Sequence, residues 1–97
     1  MTNVMELKYS IEDTIEWMKS NDYKIRLKAE YWQLIIRMEK IRCATLNIGY
    51  TDLNTFNAVR IEDMCNQFKI MHEYKHILEK RAMYDMIDLD NQYVVMW

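Results

Sequence analysis

The sequence predicts an all-α protein, with a short N-terminal helix, a long antiparallel two-helix hairpin and a short apolar C-terminal tail. Three observations predict it. The 97 residues contain no proline and one glycine, Gly49, so the chain has few places to turn. Apolar residues recur at alternating steps of three and four over two long stretches, which is the helical period. The 51% apolar content is too high for a disordered chain. This length supplies one domain, residues 1–97.

Turn signals at Ser20-Asn21-Asp22, at Asn47 to Asn54 and at Asp85 to Asn91 divide the chain. The first helix is predicted over 11–19, with Ser10 as N-cap and Asp13 completing a capping box. Ile11, Ile15 and Met18 share one face, and a helix this short must pack on something. The second helix is predicted over 23–46, capped by Asp22. Its main stripe is Leu27, Tyr31, Leu34, Met38, Ile41, Thr45 and Ile48, an unbroken heptad seam. A second apolar set, Ile25, Ala29, Trp32, Ile36 and Cys43, lies away from that seam. The third helix is predicted over 55–86, capped from Asp52, Asn54 or Thr55. Its stripe is Ile61, Met64, Phe68, Met71, Lys75, Leu78 and Ala82, and Val59, Ile70, Tyr74, Ile77 and Tyr84 lie opposite.

Two long helices that are apolar on two sides close a hairpin with one seam each. The short first helix covers only part of the rest, and soluble monomers rarely expose a large apolar patch. The expectation is an oligomeric helical bundle with Trp32, Ile36, Ile70, Tyr74, Ile77 and Trp97 at the subunit contact. The competing expectation is a three-helix monomer whose first helix covers the patch. The tail, residues 91–97, is too apolar at Tyr93 to Trp97 to fray in water. It docks on its own hairpin or exchanges with a neighbour.

Thirteen basic against fifteen acidic residues give a net charge of −2, too balanced for a general nucleic-acid binder. Every long window carries several charges, so no membrane span is expected. The opening MTNVMELKYS has no basic or apolar leader region, so no secretory signal is expected. Cys43 and Cys65 lack a CxxC spacing and read as reduced, inert thiols. His72-Glu73-Tyr74-Lys75-His76 matches the zinc-hydrolase string H-E-x-x-H, in which two histidines one turn apart bind metal. No downstream third ligand follows, and Lys75 adds positive charge, so the match reads as chance. With one glycine, no phosphate loop or nucleophile elbow can form. Neither catalysis, a metal nor a cofactor is expected.

Two polar wedges separate the apolar faces of the second helix. One holds Arg26, Glu30, Gln33, Arg37 and Lys40, the other Lys24, Lys28, Glu39 and Arg42. Arginine offers bidentate contacts to phosphate, and a nearby Tyr23, Tyr31 or Trp32 could stack on a base. The candidate ligand set is therefore Tyr23, Arg26, Tyr31, Gln33, Arg37 and Lys40. The bland alternative is a solvated face with ion pairs such as Arg26–Glu30.

The run Asp22-Tyr23-Lys24-x-Arg26-Leu27-x-Ala29-Glu30-Tyr31-x-Gln33-Leu34 with Arg37 and Lys40, then Leu78-x-x-Arg81-Ala82 and Ile87-Asp88-Leu89, resembles a family of small phage and prophage proteins of Gram-positive bacteria. The resemblance covers residues 22–89 and implies a viral origin and a helical hairpin, without naming a reaction. Loops in that family often carry proline, which this chain lacks. Its layout is similar to helical phage sponges that sequester cyclic-nucleotide immune signals. The expected function is thus a non-enzymatic phage protein in the host cytoplasm that counters bacterial immunity. In its most concrete form it is a homo-oligomer holding a cyclic nucleotide or ADP-ribose-type signal at subunit interfaces. The alternative is a protein–protein inhibitor of a host defence effector such as a CRISPR nuclease. A small zinc hydrolase built on the His72 string is the remote third.

Overall fold

A computed structural model describes residues 7–48 and 55–91. Among them are three helices and no strand: α1 (Ile11–Met18), α2 (Tyr23–Ile48) and α3 (Thr55–Tyr84). None is long and apolar enough to cross a membrane. The apolar tail at Tyr93 to Trp97, including the interface candidate Trp97, and the turn around Gly49 lie outside the described residues.

Helix α1 begins with a reciprocal cap. The Asp13 N–H donates to Ser10 Oγ at 3.4 Å, and the Ser10 N–H donates to Asp13 Oδ2 at 2.9 Å. Two of the four orphan donors at the helix start are thereby satisfied. The face turned inward differs from the expected Ile11–Ile15–Met18 stripe. Thr14 is completely buried, whereas Ile15 and Met18 are exposed. The reason is polar satisfaction: Thr14 Oγ1 donates to the Ile11 carbonyl at 2.7 Å and accepts the Gln33 amide at 3.0 Å. A small side chain with its hydroxyl paired lets α1 approach α2 closely.

Helix α2 starts at Asp22, whose carboxylate accepts the Lys24 N–H at 3.0 Å. Its seam is the centre of the protein. Tyr31, Trp32, Leu34 and Met38 form the core cluster with Leu78 of α3. Phe68 and Met71 of α3, and Tyr9, Trp17 and Leu89, pack against it.

The second apolar face of α2 is covered over most of its length, contrary to expectation, with Ile25 left exposed at its start. Ala29, Trp32 and Ile36 are all buried within the single chain. Residues before α1 and after α3 cover Trp32. Tyr9 presents its ring edge-on at 5.0 Å, and Leu89 accepts the indole N–H at 2.7 Å. The second face of α3 is the one left open, with Val59, Ile70, Tyr74, Ile77 and Tyr84 exposed.

Helix α3 stops at Tyr84, two residues short of the predicted end, because the backbone turns left-handed at Met86 (φ 57°). The Ile87 N–H bonds to the Ala82 carbonyl at 2.8 Å and the Met86 N–H to the Met83 carbonyl at 3.3 Å. This is a Schellman cap built on a residue with a Cβ, where glycine is the usual occupant. Met86 is 90% exposed, so its side chain contributes little to offset the conformation. Met86→Gly should therefore stabilise the fold by about 0.5–1 kcal/mol, the relief of the left-handed cost less the entropy that glycine adds to the unfolded chain. The urea midpoint should rise at unchanged slope, and an unchanged midpoint would show that the cap carries no strain.

Candidate functional site

The candidate ligand residues meet different fates, because successive residues of a helix point about 100° apart. Tyr31 is fully buried and Gln33 half-buried. Tyr31 cannot stack on a base: its ring fills the core against Leu78. Gln33 is engaged by α1, donating to Thr14 Oγ1 and to Met18 Sδ at 2.6 Å. Arg26, Arg37 and Lys40 are exposed. Arg26 does not pair along the helix with Glu30 as the bland reading expected; it donates to the Ser20 carbonyl at 2.7 Å. Arg26 and Arg37 are about three turns apart on the same face, roughly 17 Å along the axis. Tyr23 is partly exposed beside them. Its hydroxyl lies against Asp85, and that hydrogen bond raises its pKa. The structure thus offers an open basic flank on α2 with one aromatic ring at its end.

The opposite wedge is occupied. Leu89, Asp90 and Asn91 leave the end of α3 and cross α2 as a strap. Asp90 is in the left-handed region (φ 60°), and its N–H is turned onto Asp88 Oδ1 at 2.8 Å. The Asp90 carboxylate receives Lys8 Nζ at 2.6 Å and the Tyr9 hydroxyl, with Lys28 Nζ 3.9 Å away. Lys28 also stands 5.1 Å from the Tyr9 ring centroid and 4.9 Å from that of Trp17, within cation–π range. Tyr9 meets Trp17 edge-on at 4.8 Å. The hydrogen bonds from Lys8 and Tyr9 hold the Asp90 carboxyl below the usual carboxylate range.

Beneath the strap lies a buried carboxylate. Glu79 of α3 accepts the Tyr31 hydroxyl through Oε2 at 2.9 Å, and Lys75 Nζ lies 3.7 Å from the same oxygen. Asn91 donates to the Tyr31 oxygen. Burial pushes the Tyr31 hydroxyl far above its ordinary pKa, and the Glu79 hydrogen bond adds to the rise while Asn91 opposes it. Oε1 of Glu79 accepts no hydrogen bond from a described residue, with His76 Nδ1 3.7 Å away. A second half-hidden pair sits farther along α2, where buried Glu39 accepts Arg42 at 2.5 and 3.1 Å and the Cys43 thiol lies 3.6 Å off.

The His72-Glu73-x-x-His76 string is on α3 with its two rings 4.8 Å apart. Among the described residues no group of three or more His, Cys, Asp or Glu could hold a metal ion. Cys43 and Cys65 are free thiols.

The clusters around Glu79 and Asp90 could not be read from spacing, because their partners are up to 82 residues apart. One local signal existed for Glu79, which stands four residues after Lys75 and between the seam residues Leu78 and Ala82.

An all-helical chain with an open basic flank and a face of unpartnered apolar residues has the features of a binding protein. The chain belongs to the Sequestin family, whose model matches residues 21–84. The family name denotes sequestration, a binding role, and the matched span runs from Asn21, just before the α2 cap, to the last residue of α3. No curated protein and no solved structure matches the chain.

Two outcomes follow from these clusters. Tyr31→Phe removes the one neutral donor to a buried carboxylate and should cost about 1–3 kcal/mol in chemical denaturation; a loss under a few tenths would show that Lys75 alone satisfies Glu79. Asp90 has a lowered pKa in the fold, so its contribution to stability is present above the unfolded carboxylate pKa and is lost as pH falls through the lower folded value. Asp90→Asn should remove that acid-dependent part of the stability curve. An identical pH profile for the variant and the parent would show that the strap is not held by this charge.

Proposed function

We propose that this is a phage-type, non-enzymatic protein that counters bacterial immunity in the host cytoplasm by sequestering a nucleotide signal. The observation that carries the reading is the open Arg26–Arg37–Lys40 flank of α2 in a chain of the Sequestin family. Guanidinium groups suit phosphate because they donate in a planar fork. Tyr23, at the end of the flank, is the ring left to stack on a base, since Tyr31 is core. The phosphates of a cyclic nucleotide or an ADP-ribose-type signal would lie along Arg26, Arg37 and Lys40.

In this reading α2 and α3 form an antiparallel hairpin, and the protein works as a homo-oligomer. Ile70, Tyr74 and Ile77, exposed at 65, 40 and 55%, supply the subunit contact with Trp97. Trp32 and Ile36 are buried by their own chain and are left out of that contact. The same exposed face favours a second reading, in which a host defence effector such as a CRISPR nuclease docks on α3 and no nucleotide is held.

Calorimetry of the purified chain against cyclic nucleotides and ADP-ribose derivatives tests the first reading. Saturable binding is expected, with Arg37→Ala weakening it at least about tenfold, the loss of a charged hydrogen bond. Light scattering on the same sample should give a multiple of 12.0 kDa, and Ile70→Asp with Ile77→Asp should return it to one copy. Silence across the nucleotide panel removes the sequestration reading, and capture of a defence protein by the α3 face would favour the second.

A further inference from the structure

We propose that Lys8, Tyr9 and Lys28 form a phosphate-binding site that the chain keeps filled with its own Asp90 carboxylate. This site lies in the other wedge of α2 from the Arg26–Arg37–Lys40 flank, so it does not rest on the sequestration reading.

The geometry of the occupant points to the ligand. Three donors converge, and the carboxylate has two oxygens for them. Lys8 Nζ takes Oδ1 at 2.6 Å, and the Tyr9 hydroxyl takes Oδ2. Lys28 Nζ is left 3.9 Å from Oδ2, an ion-pair distance beyond hydrogen bonding. A tetrahedral phosphate presents a third oxygen, which the Lys28 ammonium could take while Lys8 and Tyr9 keep theirs. Charge argues the same way. Two ammonium groups face one carboxylate, and a dianionic phosphate matches both.

The surroundings are those of a built site. The Lys28 side chain is 23% exposed and is held against the Tyr9 and Trp17 rings, so its ammonium is already positioned. Tyr9 is fixed between Trp17 and Trp32 at 4.8 and 5.0 Å. The Asp90 side chain is 33% exposed and can swing out without unseating the strap. The strap is anchored separately, through the Trp32 indole to the Leu89 carbonyl and through Asn91 to Tyr31.

A tethered carboxylate competes as an intramolecular ligand, with an effective concentration of about millimolar or more. It therefore excludes weakly binding anions and admits a ligand that satisfies all three donors. Removing it should reveal the site to the simplest probe.

The test is calorimetric titration of the full chain with inorganic phosphate at constant ionic strength. Asp90→Gly suits the left-handed backbone and empties the site, and Asp90→Asn keeps the shape of the strap while stripping its charge. Both variants should bind phosphate at least about tenfold more tightly than the parent, and adding Lys28→Ala should abolish the gain. Circular dichroism establishes that each variant is folded; should Asp90→Gly fail to fold, Asp90→Asn decides. The proposal is overturned if the folded Asp90 variants bind phosphate no better than the parent, or if the gain survives Lys28→Ala. A chain that ignores every nucleotide yet gains phosphate binding through Lys28 would remove the sequestration reading and leave this site standing.

Discussion

Two adjacent residues of α2, Tyr31 and Trp32, join every described part of the fold. Because neighbours on a helix diverge by about 100°, they face different partners. Tyr31 turns toward α3, filling the core against Leu78 and donating to Glu79. Trp32 turns toward the N-terminal segment and meets the edge of Tyr9. The strap after α3 lies between these directions, with the Leu89 carbonyl on Trp32 and Asn91 on Tyr31. A chain this short has a small core and depends on a few large side chains to do several jobs. Polar tips on otherwise apolar rings allow it: the ring is buried and the hydroxyl or indole N–H satisfies a backbone or carboxylate group that would otherwise be stranded.

Where the chain obeys local rules, its structure was legible. The capping box at Ser10, the Asp22 cap and the α3 stripe from Ile61 to Ala82 each depend on residues within a turn or two of one another. The seam of α2 was legible for the same reason, since Leu27, Tyr31, Leu34 and Met38 repeat at helical spacing and are buried. The rotation of α1 was not. A threonine counts as polar in any periodicity, and only its two hydrogen bonds, one of them to Gln33 of another helix, let it be the buried residue. The fate of Trp32 was also hidden. Nothing near it in sequence announces that Tyr9 and Leu89, from opposite ends of the described chain, will cover it.

The candidate site was legible only in part. The basic residues Arg26, Arg37 and Lys40 were identifiable as one wedge because a helix wheel places them together, and they are exposed. Tyr31 sits both on the seam and near that wedge in sequence, and the two roles are incompatible. Burial excludes a stacking ring, and the hydrophobic gain from an aromatic in the core is large enough to decide the matter. Lys28 and Glu39 of the second polar wedge are half-buried and buried respectively. Each is stabilised by a specific partner: Asp90 and two aromatic rings for Lys28, Arg42 for Glu39.

The two wedges of α2 therefore do different work. One side is closed by the strap, which sets the single Asp90 carboxylate against Lys8 and Lys28 and ties the ends of the described chain across 82 residues. The other side keeps its charge exposed. The asymmetry of α3 is complementary, with one face seated on α2 and the other carrying Ile70, Tyr74 and Ile77 into solvent. Trp32 is covered from both ends of the described chain, by the Tyr9 ring and by the Leu89 carbonyl of the strap. The N-terminal segment and the strap together cover Trp32 while Arg26 and Arg37 stay exposed, so a single chain can bury its largest ring and still present charge on α2 and apolar surface on α3.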